Sequence, residues 1–232
     1  MQRILDGNIR ALSIQKEKYF GEPAPAINSY TDIVNWLNQL NAGWVRAARR
    51  ISPGVLILLH DATGKQTCEY FESVDPFDKA IFSVAWAGEK ESLNWMHVAR
   101  EYTEKWLHQQ QIRDAVNKQG IMTKELFYPF IDTFMFALPH TYRNIDAENG
   151  TVIQLNVSCE IGGSWFLVRE NEKWILKKEN NVKASAIITI DPDTAWKLFS
   201  KSLRPENILS KVEITGNENL AAVALEMISV MA

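Results

Sequence analysis

The hydrophobic period of the sequence changes near residue 146, and this change constrains the fold more than any other feature. Before it, apolar residues recur every three or four positions, which is the spacing of one face of an α-helix. After it, short runs alternate between apolar and polar residues, as in half-buried β-strands. The sequence therefore predicts an α+β protein with two domains, a helical bundle over residues 1–145 and a small sheet-and-helix domain over residues 146–232.

Five helices are predicted in the first domain. Ser29 or Thr31 is expected to cap the second, and Pro53 to open the third, because the first turn of a helix does not need the missing N–H of proline. Gly120 is expected to end the fourth helix. The predicted ranges are residues 3–18, 32–51, 53–62 with an extension past residue 64, 92–118 and 123–138.

The second domain is predicted to contain five strands and two helices. Gly162-Gly163 is expected to form a two-residue turn. Asp191 is expected to cap a helix that begins at Pro192. The predicted strands are residues 151–157, 164–168, 173–177, 185–190 and 211–215, and the predicted helices are residues 192–201 and 218–231.

Composition excludes several classes of protein. A net charge of −3 argues against a nucleic-acid partner, which usually requires a basic surface. No apolar run reaches the roughly 20 residues of a membrane span. Cys68 and Cys159 lie too far apart to indicate a metal motif or a disulfide framework, and residues 1–6 carry no signal-peptide pattern. A cytoplasmic protein with reduced thiols is the expectation.

The fourth predicted helix carries candidate metal ligands on one face. Glu104 and His108 are four residues apart, and His97 and Glu101 form a second such pair, so all four share a face of the helix. Carboxylates and imidazoles suit a divalent metal of the zinc kind. The alternative is a solvated face, on which such pairs form weak contacts. Two donors also do not complete a catalytic zinc site, which usually has three protein ligands.

Six stretches of the sequence carry a family resemblance. The first three resemble the DinB/YfiT-like superfamily and, within it, the mycothiol-dependent maleylpyruvate isomerases. The last three resemble the sterol-carrier-like domain that accompanies those bundles. In chain order the stretches are Ile4–Arg10, Trp86–Glu89 with Asn94-Trp95, Arg100–Ala115, Trp174–Leu176, Ile190–Phe199 and Val230–Ala232.

This resemblance implies a function. Glu104 and His108 match the family's metal pair, with zinc as the expected metal and a low-molecular-weight thiol such as mycothiol as the cosubstrate. The implied reaction is isomerisation or thiol transfer on a small carboxylate or electrophile. Arg143 and Arg113 are the candidate residues for holding the substrate carboxylate. The alternatives for these arginines are a surface or interdomain salt bridge for Arg143 and a helix-end charge for Arg113.

The sequence departs from the family pattern at one metal ligand. The family's first ligand is a histidine, and that position is occupied here by Arg3, or its counterpart lies upstream of Met1. His97 is a poor substitute, since it lies about 16 Å from His108 along the helix axis. A second hypothesis is therefore a non-catalytic binding or dimerisation protein that has lost its metal site. A homodimer is plausible under either hypothesis.

Overall fold

The computed structural model describes residues 1–21 and 25–230. Within these residues the chain forms helices α1 to α8 and strands β1 to β5. The helices are α1 Gln2–Arg10, α2 Tyr30–Ala48, α3 Pro53–Ser73, α4 Asn94–Ala115, α5 Lys124–Met135, α6 Leu138–Thr141, α7 Pro192–Phe199 and α8 Glu218–Leu225. The strands are β1 Val152–Val157, β2 Gly163–Glu170, β3 Lys173–Lys177, β4 Ala186–Ile190 and β5 Val212–Gly216.

The mixed α+β fold predicted from the sequence is confirmed. The described residues form two compact units, one of residues 1–81 and 93–98 and the other of residues 82–92 and 99–230. The predicted boundary between residues 145 and 146 stays a prediction. No helix within the described ranges is long and apolar enough to cross a bilayer.

The first predicted helix contains a change of helix type. α1 continues directly into a π-helical segment, Ala11–Lys16. The backbone N–H of Glu17 closes this segment by donating to the carbonyl of Leu12 five residues earlier, at 3.0 Å. Hydrophobic period does not distinguish an α-turn from a π-turn, so the sequence predicted the helix but not its widening.

Local capping rules account for the starts of α2 and α3. The Ser29 hydroxyl accepts a hydrogen bond from the Asp32 N–H at 3.2 Å, so Ser29 rather than Thr31 is the cap. Ser52 caps α3 in the same way through the Val55 N–H at 3.4 Å. α3 runs on to Ser73, so the predicted extension past residue 64 is correct.

The predicted end of α4 at Gly120 is wrong. Asn117 takes the left-handed conformation, with φ +51°, two residues after the helix ends. The Lys118 N–H then donates to the Arg113 carbonyl at 2.8 Å, and the Asn117 N–H donates to the Asp114 carbonyl at 3.2 Å. These two bonds form a Schellman motif, in which asparagine replaces the more usual glycine.

The five strands form one sheet in the order β3-β2-β1-β4-β5. β1 and β4 are parallel, and the other neighbouring pairs are antiparallel. Leu155 at the centre of β1 lies opposite Trp165 of β2 and Ile188 of β4, and all three side chains are buried. The predicted helix cap is also present, since the Asp191 carboxylate accepts from the Thr194 N–H at 3.0 Å.

The tight hairpin turn of the sheet lies at another connection than the predicted one. The predicted two-residue turn at Gly162-Gly163 is wrong, because β1 ends at Val157 and Gly163 already belongs to β2. The tight turn lies instead between β2 and β3. There Asn171 and Glu172 both have positive φ, +48° and +63°, as a type I′ hairpin requires.

The last two helices also end earlier than predicted. α7 ends at Phe199 and α8 at Leu225. Residues 231 and 232, where the predicted helix and the last resembling stretch end, lie outside the described residues.

Candidate metal-binding site

Glu104 and His108 face each other on one turn of α4. The Nε2 atom of His108 lies 3.6 Å from Oε2 of Glu104. The two side chains are partly open to solvent, with exposed fractions of 22% for His108 and 38% for Glu104. The helix therefore positions both groups as the spacing predicted, at a surface that a small molecule can reach.

The other ring nitrogen of His108 defines how the imidazole is oriented. Nδ1 lies 3.0 Å from the amide oxygen Oε1 of Gln111. In the tautomer with the hydrogen on Nδ1, Nδ1 donates to this oxygen and Nε2 carries the lone pair, as a metal ligand requires. Nε2 faces the Glu104 carboxylate, so a proton on Nε2 or a cation between the two groups would hold them together. Metal-binding histidines are oriented in this way by an acceptor on the other nitrogen.

The two donors pass a geometric test for a shared metal ion. A zinc ion lies about 2.0–2.1 Å from nitrogen and carboxylate ligands, so a tetrahedral angle separates two such ligands by about 3.4 Å. The observed separation of 3.6 Å is close to this value. A third protein ligand is missing from residues 1–21 and 25–230, which contain no group of three or more His, Cys, Asp or Glu side chains able to hold a metal. The residues fit a two-donor site and not a complete three-ligand site.

Neither Arg3, at the position of the family's histidine, nor His97, the possible substitute, lies in metal-binding surroundings. Arg3 is exposed on α1, and its charge acts on the carboxyl of Asp6. His97 is almost completely buried, with Nε2 2.8 Å from Oε1 of Gln15. The Phe71 ring packs edge-on against His97, with a centroid distance of 6.1 Å. These contacts are typical of a histidine that contributes to packing.

The two arginines predicted to hold a carboxylate each contact a main-chain oxygen. Arg113 donates from Nη1 to the carbonyl of Gln119 at 2.7 Å, and Arg143 donates from Nη1 to the carbonyl of His140 at 2.6 Å. Burial and, to a lesser degree, the charge of Arg143 lower the pKa of His140. Both guanidinium groups thus stabilise chain turns, and their role toward a substrate stays a prediction.

Sequence reasoning missed one charged residue with unusual surroundings. Arg169 on β2 is only 9% exposed, and its Cζ lies 5.7 Å from the centre of the Trp174 ring. A signal was present, because Trp165, Leu167 and Arg169 alternate along the strand and therefore point to the same face. A charge at a core-facing strand position is the kind of exception that indicates a function or a specific partner.

Comparison with known proteins gives a likeness of fold. No model of a known protein family and no curated protein matches the chain. Sterol carrier protein 2 like 2 from Aedes aegypti is 20% identical and matches 42% of this chain and 95% of its own, with a TM-score of 0.33. Sterol carrier protein 2 from Yarrowia lipolytica is 23% identical over 33% of this chain and 64% of its own, with a TM-score of 0.28. A ubiquinone synthesis protein, UbiJ-SCP2, is 20% identical over 41% of this chain and 80% of its own, also with a TM-score of 0.28.

All three neighbours are named as sterol carrier protein 2 or as carrying an SCP2 part. Their names describe what those proteins do, and at this level of similarity the likeness concerns the fold alone.

Proposed function

We propose that this chain is a metal-dependent enzyme that uses a low-molecular-weight thiol to isomerise, or transfer the thiol to, a small carboxylate or electrophile. Glu104 and His108 are the protein ligands of the metal in this proposal. The observation that carries it is the facing pair of atoms Nε2 of His108 and Oε2 of Glu104, 3.6 Å apart on α4. The resemblance of residues 1–145 to a DinB-like bundle and to maleylpyruvate isomerases supplies the reaction class.

The residues of the site have distinct roles in this proposal. A bound divalent ion would lower the pKa of a thiol or a water molecule next to it. Toward such an ion Glu104 would contribute a carboxylate oxygen and His108 the ring nitrogen Nε2, with Gln111 in contact with the other ring nitrogen. Because both ligand side chains are partly exposed, the positions that the protein does not fill are open to water and to the substrate.

The test is zinc content and thiol-dependent turnover of purified variants. We expect the unaltered chain to bind about one zinc ion per molecule after incubation with zinc, measured by mass spectrometry and by calorimetry. Glu104→Gln and His108→Ala should each weaken binding at least about tenfold, because each removes one of two protein ligands. Glu69→Gln, an exposed carboxylate on α3, is the matched control and should bind zinc normally.

Turnover is measured with maleylpyruvate as substrate and mycothiol or glutathione as the thiol. The proposal requires zinc-dependent and thiol-dependent turnover that both ligand variants lose. Unchanged zinc content and unchanged turnover in Glu104→Gln and His108→Ala would overturn it.

The second candidate is a non-catalytic binding or dimerisation protein without a metal. It is favoured by the lack of a three-donor group among the described residues. It predicts no zinc uptake and no turnover, together with a dimeric mass in solution by light scattering. A cytoplasmic location is part of both proposals.

A further inference from the structure

We propose that the turn between α2 and α3 binds the surface of an anionic lipid bilayer. The surface in question, the α2–α3 tip, consists of residues 46–59, which carry three arginines followed by an apolar run. It belongs to the unit of residues 1–81 and 93–98 and does not involve the proposed metal ligands.

The α2–α3 tip is a basic segment in an acidic chain. The sequence contains no Asp or Glu between Asp32 and Asp61, although the whole chain has a net charge of −3. Arg46, Arg49 and Arg50 lie in this stretch, and all three are exposed. None of them has an ion-pair partner within the part of the chain that the structure describes. Their positive charges are therefore available to an external anion.

The first two turns of α3 are apolar on their outer side as well as on the side that packs. Leu56 is buried, whereas Val55, Ile57 and Leu58 are 48%, 54% and 66% exposed. A helix that packs on one side usually carries polar residues on the other, and the exposed positions of α3 become mostly polar only from Asp61 onward. A continuous group of exposed apolar side chains indicates an interaction surface.

The connection between the helices places the charges and the apolar side chains at one end of the helix pair. Only residues 49–52 join α2 to α3. Arg50 and Val55 are five residues apart, so their Cα atoms are separated by at most about 18 Å. Exposed apolar side chains next to arginines are typical of segments that lie in the headgroup region of a membrane. There the apolar groups enter the boundary of the acyl chains, and the arginines contact lipid phosphates.

Other kinds of partner match the α2–α3 tip less well. A second copy that used the same surface would bring two sets of three arginines together, and like charges repel. A nucleic acid offers phosphates but leaves Val55, Ile57 and Leu58 without an apolar partner. An anionic bilayer supplies both the negative charge and the apolar interior that this surface requires.

The test is co-sedimentation of the full chain with two kinds of vesicle, one of phosphatidylcholine alone and one of phosphatidylcholine mixed with phosphatidylserine. We expect binding to the mixed vesicles that weakens as the salt concentration rises, because salt screens the attraction between the arginines and the lipid charges. Trypsin locates the contact: mixed vesicles should slow cleavage after Arg50 and leave cleavage after the exposed Lys183 unchanged. These measurements use the unaltered chain, so they do not depend on the folding of any variant.

Two variants separate the roles of charge and apolar contact. Changing all three arginines to glutamine should weaken binding to mixed vesicles at least about tenfold, since each basic residue contributes about fivefold near an anionic surface. Val55→Ser combined with Leu58→Ser should also weaken it at least about tenfold, because both side chains lose apolar contact with the bilayer. Arg204→Gln and Leu209→Ser are the matched controls, exposed residues of the other unit, and should leave binding unchanged.

Three results would contradict the proposal. They are a lack of binding to mixed vesicles at low salt, equal binding to both kinds of vesicle, and binding that neither variant weakens. A dimer that forms without vesicles and is lost in the Val55→Ser, Leu58→Ser variant, as seen by light scattering, would assign this surface to a second copy and would likewise show that the proposal is wrong.

Discussion

The hydroxyl of Tyr142 donates a hydrogen bond to the main-chain oxygen of Leu220, 78 residues further along the chain, at 2.6 Å. Tyr142 follows α6 directly, and Leu220 lies in α8. The tyrosine side chain is completely buried, and its ring also packs against Trp174. One side chain thus joins the last helical turn before the sheet to the final helix of the chain and to the sheet itself.

Replacing this tyrosine should destabilise the fold. Tyr142→Phe retains the ring packing but leaves the Leu220 carbonyl without its side-chain donor. We expect the free energy of unfolding to fall by about 1–2 kcal/mol, measured by urea denaturation. Tyr102→Phe is the matched control, because the Tyr102 hydroxyl donates to the Leu126 carbonyl at 2.7 Å in a more exposed position, where water can replace it. Equal losses in the two variants would contradict this account.

The same residue should make stability sensitive to alkaline pH. Burial raises the pKa of Tyr142 well above its ordinary value of 10.0. The folded state therefore keeps the phenol neutral at a pH where the unfolded chain ionises, and the stability that the neutral group contributes is lost as the pH rises above 10. Burial also raises the pKa of Tyr70 and Tyr102, so the stability of the unaltered chain alone does not isolate Tyr142. The quantity to measure is the difference in the free energy of unfolding between the unaltered chain and Tyr142→Phe. The stability gap between the unaltered chain and Tyr142→Phe should narrow between pH 9 and pH 11, and a constant gap would count against the prediction.

The elements that sequence predicted well depend on local signals. β3 has the predicted bounds, because Lys173–Lys177 is a short apolar run between two lysines and a turn precedes it. Asp191 followed by proline defines the start of α7 within four residues of chain. The spacing of Glu104 and His108 also depends only on the helix repeat. For such features the residues that determine the geometry are adjacent in sequence, so a single sequence contains the information.

The features that the sequence did not predict depend on residues far apart in the chain, or on which of two neighbouring residues ends a helix. Gln15, in the π-helical segment, pairs with a histidine 82 residues away. Asn117 ends α4 three residues before the glycine that the sequence favoured, because the two Schellman bonds form around Asn117. The partners of Arg169 come from the loop before β1 and from β3, and strand pairing brings them together. No local pattern indicates which of these contacts the folded chain selects.

At the cap of α7, two substitutions separate the contribution of the hydrogen bond to stability from that of the negative charge. Burial raises the pKa of Asp191, but hydrogen bonds from Thr194 and the charge of Lys211 outweigh it and bring the pKa below the ordinary 3.8. Asp191→Ala should lower the free energy of unfolding by about 1 kcal/mol, and Asp191→Asn by only a few tenths, since asparagine caps almost as well. Because the folded pKa is lowered, the contribution of the charge is present above pH 3.8 and is lost as the pH falls through the lower folded value. Between pH 7 and pH 2.5 the midpoint temperature of thermal unfolding should therefore fall more for the unaltered chain than for Asp191→Asn.

Two glycines with the same backbone conformation should respond differently to alanine. Gly216 and Gly150 have φ of +87° and +88°, where an alanine is strained. A Cβ at Gly216 would overlap the main-chain oxygen of Ser185, whereas a Cβ at Gly150 has no heavy atom within 4 Å. Gly150→Ala should cost about 1–2 kcal/mol from backbone strain alone, and Gly216→Ala should cost clearly more because β4 and β5 must also move apart. Chemical denaturation compares the two, and a smaller loss in Gly216→Ala would show that this edge of the sheet relaxes.

The π-helical segment should depend on a buried hydrogen bond. The Gln15 amide oxygen accepts from Nε2 of His97 at 2.8 Å, and the two residues are only 6% and 2% exposed. Gln15→Leu is similar in volume but cannot accept, so a buried ring N–H loses this partner, and we expect a loss of about 1–3 kcal/mol. Gln66→Leu makes the same change at an exposed position of α3, where the Gln66 amide donates to the Ala62 carbonyl. This control should lower the free energy of unfolding by less than about 0.5 kcal/mol. The unit of residues 1–81 and 93–98 contains both positions. Urea denaturation measures the free energy of unfolding of each variant, and amide hydrogen exchange in α1 and α3 measures how readily each helix opens locally. Faster exchange confined to Gln15→Leu is the expected result, and similar exchange in both variants would show that the Gln15 bond contributes little to this unit.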